Sequence, residues 1–171
     1  LCCHFFFKNV ANLTLLEQSL PLFCCIFAIN SIKIMYPEEL VAPMRADLTN
    51  NGFTELRDAE QVNIAMSTAK GTSLLVVNSV CGCAAGSARP GAIASLSGDK
   101  KPNNLFTVFA GQDSDAVAAA RKHLLPYPPS SPSIGVFKDG ELVHFVERHH
   151  IEGRSAEMIS SHLQEVYKEH C

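Results

Sequence analysis

The chain has 171 residues, 47% of them hydrophobic and 18% charged, which suits one globular domain and excludes a disordered protein. Its formal net charge is −3 with no basic stripe, which excludes nucleic-acid binding as a main role. Seven cysteines, an odd number without regular spacing, argue against a secreted disulfide framework and fit a reducing cytoplasm.

Residues 1–34 differ from the remainder. The segment is rich in Leu and Phe, carries the doublets Cys2-Cys3 and Cys24-Cys25, and starts with Leu1. Its uncharged stretch from Gln18 to Ile32 is shorter than the ~20 residues of a membrane span. It has neither a strongly basic start nor a clear cleavage site. The expectation is an in-frame extension outside the folded domain, with translation starting at Met35 and the domain spanning 35–171. A signal or anchor segment is the alternative, and it would put the thiols in another compartment. No membrane association is expected of 35–171.

A helix is predicted over Pro37–Thr49, where Leu40, Val41, Met44 and Leu48 recur at helical spacing and Pro43 should disturb or kink it. Asn50-Asn51-Gly52 stops it. A second helix begins at Asp58 with Gln61 as capping-box partner, and Gly71 lies past its end. Leu74–Val77 is a continuous apolar run, as in a central strand covered on both faces.

Cys81-Gly82-Cys83 follows that strand, and Ala84-Ala85-Gly86-Ser87-Ala88 opens a helix to about Leu96, with a kink expected at Pro90. A helix N-terminus favours negative charge and lowers thiol pKa values, and the thiolate is the nucleophile. Glycine between the cysteines lets the backbone bend as the sulfurs approach. The one-residue spacing closes a small disulfide ring, and a strained disulfide is labile, catalytic or regulatory. Cys81/Cys83 therefore reads as a reactive pair. Two other readings are half of a zinc site and two inert core residues.

Asp99–Asn104 is a loop, Leu105–Ala110 a second buried strand, and Ser114–Leu124 an alanine-rich helix. The run from Pro126 to Pro132 cannot be helical. Ser133–Lys138 and Glu141–Val146 flank Asp139-Gly140, a strong hairpin signal. A last helix covers Ser155–Lys168. After two leading helices the order is β-α-β-α-β-β-α, which implies an α/β fold with a mixed sheet. This is the thioredoxin-like arrangement. Pro132, just before the third core strand, stands where that fold has a cis-proline facing the thiols.

Several ordered motifs carry a more specific resemblance. They are Leu40–Arg45, Val77–Gly86, Ala88-Arg89-Pro90, Val108–Asp113, Pro129–Ser133, Val143-His144-Phe145, Arg148-His149, Ile151-Glu152-Gly153 and the terminal Cys171. From Met35 to Cys171 the chain resembles the bacilliredoxins, bacterial thioredoxin-like proteins with a Cys-Gly-Cys site. The resemblance implies a thiol–disulfide oxidoreductase that removes bacillithiol from protein mixed disulfides, with Cys81 attacking and Cys83 resolving. It also implies Gly82, Ser131 and Pro132 as substrate-binding residues and bacillithiolated proteins as partners. Bacillithiol would be the exchanging low-molecular-weight thiol, with no cofactor and no metal. The second histidine of Arg148-His149-His150 replaces an expected acidic residue.

Alternatives stay open. The activity is also consistent with a general disulfide isomerase or reductase. A different class would be a metal-binding module, with Cys171 or a histidine completing a zinc or copper shell, or a redox-sensing interaction protein. Cys171 is either an auxiliary thiol on a mobile end or a bystander. His149 and His150 either assist proton transfer or are structural. Arg89 and Arg148 either bind bacillithiol carboxylates or are ordinary surface arginines.

Overall fold

A computed structural model describes residues 35–171, so the expectations for residues 1–34 lie outside the described residues. The first helix, α1 (Glu38–Thr49), starts after Pro37 and runs continuously through Pro43. The expected disturbance is small because proline so near the helix start removes only one backbone bond. Two residues, Thr54–Glu55, then form strand β1, which no sequence pattern marks. Helix α2 (Ala59–Thr68) is capped by Asp58, whose carboxylate accepts the Gln61 N–H. The Gln61 side chain accepts from the Arg57 N–H rather than closing a strict capping box.

Strand β2 (Thr72–Asn78) is buried along its whole length. The helical segment after the cysteines opens with a π-helical stretch, Ala84–Ala88, and continues as α3 (Arg89–Ser95). The Arg89 N–H bonds to the Ala84 carbonyl, five residues back. This wider turn accommodates Pro90, which has no N–H to offer. The expected kink at Pro90 is thus a π-turn ahead of it. Strand β3 (Asn104–Phe109), helix α4 (Ser114–His123), strands β4 (Ser133–Lys138) and β5 (Glu141–Val146), the short helix α5 (Arg148–Ile151) and helix α6 (Ala156–His170) follow.

The sheet order is β1-β3-β2-β4-β5. β1, β3 and β2 are parallel, while β4 runs antiparallel to β2 and β5 antiparallel to β4. Alternation along β2 divides the core. Leu74 and Val76 pack with α1, α3 and α6 residues including Leu48, Ala92, Ile159 and Leu163. Leu75 and Val77 pack on the other face with Val62, Met66, Ala116 and Ala120 from α2 and α4. Helices on both faces of a central mixed sheet make this a thioredoxin-like α/β fold, as the sequence implied. Among the described residues no helix is long and apolar enough to cross a membrane.

The topology brings two loops to one end of the sheet. β2 delivers Asn78–Cys81 there, and Val77 pairs with Ser133 at the start of β4. The residues just before Ser133 therefore lie at the same end as the cysteines. The Ser131–Pro132 peptide bond is cis, and so is Leu125–Pro126 at the start of the same proline-rich run.

Candidate active site

Cys81 ends the loop after β2 and stands where a helix cap stands. Its carbonyl accepts the Ala84 and Ala85 N–H groups at 3.1 and 3.2 Å. Its sulfur lies 2.7 Å from the Cys83 sulfur and accepts a hydrogen bond from the Ser79 hydroxyl at 3.3 Å. Both cysteines are half-buried and free, and Cys83 packs against the core. Burial opposes the Cys81 thiolate. The hydrogen bonds from Cys83, Ser79 and the Ala84 and Cys83 backbone N–H groups outweigh that opposition, so the Cys81 thiol is held below its ordinary value. For Cys83, burial comes first, and the neighbouring Cys81 sulfur adds to it, so its thiol is pushed up. The two sulfurs are thus unequal. Cys81 is the one whose surroundings stabilise a negative charge.

Gly82 is exposed, has no positive φ, and an added Cβ would meet nothing within 4 Å. With both cysteines free, the fold does not demand glycine here.

Arg89 departs most from expectation. It is not a surface arginine free to take a ligand carboxylate, because only 4% of it is exposed. Its Nε donates to Asp47 Oδ2 at 2.9 Å, and its Nη1 donates to Asn78 Oδ1 and to the Ser79 carbonyl, both at 3.1 Å. Asn78 in turn accepts the Ser79 N–H at 2.8 Å and donates to the Met44 carbonyl at 3.0 Å. This network ties α1 and α3 to the turn that carries Ser79 and Cys81. Its only trace in the sequence is the word Ala88-Arg89-Pro90; burial and partners are set by the fold.

Arg148 is exposed and faces the site from α5. Its Nη1 donates to the Ser131 carbonyl at 3.3 Å, and its backbone N–H donates to Ser130 Oγ at 2.7 Å. The Glu152 carboxylate, and after it the two cysteine sulfurs, raise the Arg148 pKa. The Arg148 charge also favours the Cys83 thiolate. Cys81, Cys83, Arg148, Ser131 and cis-Pro132 therefore belong to one region. Pro132 is buried and Ser131 half-buried.

Other candidates stand apart. The Cys171 N–H bonds to the Tyr167 carbonyl and its own carbonyl accepts from Lys100, so this end is tied down rather than mobile. The Ser87 hydroxyl, four residues after Cys83, donates to the Arg154 carbonyl just ahead of α6, whereas Cys171 follows the far end of the 15-residue helix. At ~1.5 Å per residue that helix is roughly 20 Å long. The ligand atoms of Glu147, His149 and His150 lie within 4.8 Å of one another. Glu147 and His150 are occupied with capping α5, Glu147 taking the His150 N–H and His150 Nδ1 the Glu147 N–H. Among the described residues no third metal-ligating group joins Cys81 and Cys83.

Comparison with known proteins fits this geometry. A family model described as disulphide isomerase matches residues 36–171. A bacilliredoxin of Cytophaga hutchinsonii is 65% identical over 135 residues, covering 79% of this chain and 99% of that protein. The chain belongs to the bacilliredoxin family. A bacilliredoxin of Halalkalibacterium halodurans is 53% identical over 136 residues, covering 80% of this chain and 94% of its own. Among solved structures, oxidized thioredoxin O2 from Arabidopsis thaliana is similar, with 19% identity and a TM-score of 0.46 over 69% of this chain and 96% of that one. As a bacilliredoxin with a thioredoxin-like fold, the chain is a thiol–disulfide oxidoreductase.

Proposed function

We propose that this bacilliredoxin removes bacillithiol from protein mixed disulfides, with Cys81 attacking and Cys83 resolving. The observation that carries the reading is the asymmetry of the pair: the Ser79 hydroxyl and the Cys83 thiol hydrogen-bond the Cys81 sulfur, whose thiol is held below its ordinary value, while burial and the Cys81 sulfur push the Cys83 thiol up. The Cys81 thiolate attacks the bacillithiol sulfur of the mixed disulfide. The old S–S bond breaks, the client leaves as a thiolate and takes up a proton, and Cys81 carries the bacillithiol cap. Cys83 then loses its proton and attacks Cys81 Sγ, which expels bacillithiol and leaves a Cys81–Cys83 disulfide. Alternatively, a second bacillithiol clears the cap and leaves as bacillithiol disulfide, with the dithiol restored. In both routes each bond formed replaces one broken.

Arg148 suits a bacillithiol carboxylate through its planar fork of donors. The open face at Gly82 and the loop Ser131-Pro132 would flank the incoming disulfide. The reading assigns the protein to the cytoplasm, where thiols stay reduced, which the lack of a regular cysteine framework supports.

The test is release of thiol from one client protein carrying either bacillithiol or glutathione. Faster release from the bacillithiolated client is expected. Equal rates would favour a general reductase or isomerase.

A further inference from the structure

The cysteine chemistry makes no use of a histidine pair on another part of the molecule. His144 lies on the edge strand β5 and His162 on α6. Their Nε2 atoms are 2.8 Å apart and their ring centroids 4.8 Å apart. Both line a cleft of about 320 Å³, with His150, Met158 and Ile159. His144 is half-buried and His162 exposed.

We propose that His144 and His162 form a binding site for a late first-row divalent metal ion such as zinc, held through the two Nε2 atoms. Three features point there. The two nitrogens converge on one point from two elements that are both fixed by the core, so the pair is pre-organised. Neither ring is hydrogen-bonded or ion-paired to a carboxylate, Glu169 acting on His144 only through space, and the one hydrogen bond of the two rings is to each other. The cleft leaves room beside them for waters to complete the shell. Imidazole nitrogen suits zinc, copper and nickel, and it does not suit calcium or magnesium.

The geometry needs little change. Two nitrogens on a tetrahedral zinc at 2.0–2.1 Å are about 3.3 Å apart, so the pair must open by about 0.5 Å. The exposed His162 ring can make that movement. One Nε2 carries the shared proton in the metal-free pair. On binding, that ring moves its proton to Nδ1, so both Nε2 lone pairs face the metal with no net proton released. The Glu147-His149-His150 group is a weaker candidate because two of its members already cap α5. The proposal does not rest on bacillithiol chemistry.

The test is a zinc titration of the full, tag-free chain after alkylation of accessible thiols, followed by imidazole ¹⁵N NMR. Binding to cysteine would leave the histidine nitrogens unmoved. The Nε2 signals of His144 and His162 should shift together and saturate at one equivalent. His144→Ala should abolish the zinc-induced shift of His162, and His162→Ala that of His144, with the amide spectra showing that each variant is folded. His149→Ala should leave both shifts in place. The proposal is overturned if both Nε2 signals stay put at excess zinc, or if either histidine still shifts when the other is alanine.

Discussion

Arg89→Met removes a guanidinium that makes three hydrogen bonds beneath the cysteine turn, while keeping an apolar stem of similar length. Hydrogen bonds to a charged group contribute about 1.5–3 kcal/mol each when buried. The bonds to Asn78 Oδ1 and the Ser79 carbonyl are buried, whereas Asp47 has a side chain 53% exposed, so its ion pair contributes only about 0–1 kcal/mol. Asn78 Oδ1 retains the Ser79 N–H, but the Ser79 carbonyl loses its side-chain donor. The net expectation is a loss of about 3 kcal/mol, toward the low end of the sum because methionine leaves no buried charge behind. That is a large part of the roughly 5–15 kcal/mol that holds a domain together. Urea unfolding of the full chain measures it. Asp47→Asn, measured alongside, should cost under about 1 kcal/mol. A loss below about 1 kcal/mol in Arg89→Met, or equal losses in the two variants, would refute the view that the network's strength lies in its buried half.

Two further outcomes follow from the same structure. Gly91 sits where α3 meets α6, and an added Cβ would fall 2.7 Å from Ile159 Cβ and 3.0 Å from the Ala156 carbonyl. Gly91→Ala should therefore cost about 1–3 kcal/mol by thermal or urea unfolding, and a neutral result would show that the helices separate freely. Because the folded Cys81 pKa lies below its unfolded value, this group adds stability above the unfolded thiol pKa and loses it as pH falls through the folded value. Accordingly, Cys81 alkylation by iodoacetamide should rise with pH through a midpoint below the ordinary thiol value of about 8.5, and Ser79→Ala should move that midpoint upward. A wild-type midpoint at or above the free-thiol value contradicts the hydrogen-bonded thiolate.

Much of the fold is legible in the sequence because its signals are local. The apolar run Leu74–Val77, the Asp139-Gly140 turn and the Asp58 cap each act over a few residues, and each is found where expected. β1 escaped because two residues, Thr54 and Glu55, hold no period, and pairing with β3 alone makes them a strand. The helix α5 is one turn long and too short for periodicity to register. In the candidate site, the cysteines announce themselves by spacing, and Pro132 by its place before β4. The partners that set their chemistry do not. Arg89 meets Asp47 from 42 residues away, Arg148 reaches Ser131 across 17, and His144 meets His162 across 18. Such pairings are made by the packing of α1, α3, α5 and α6 around the sheet, and no local pattern encodes them.

The unequal roles of Cys81 and Cys83 are the central claim, and trapping the half-reaction tests them most directly. Cys83→Ser is mixed with a bacillithiolated client in the absence of free thiol, and the products are weighed intact. The account predicts one client thiol released per enzyme and a bacillithiol adduct retained on Cys81, with no turnover until an external thiol is added. Cys81→Ser should release nothing and carry no adduct. An inert Cys83→Ser beside a fully active Cys81→Ser would reverse attacker and resolver, and normal turnover by both variants would remove the Cys-Gly-Cys pair from the chemistry.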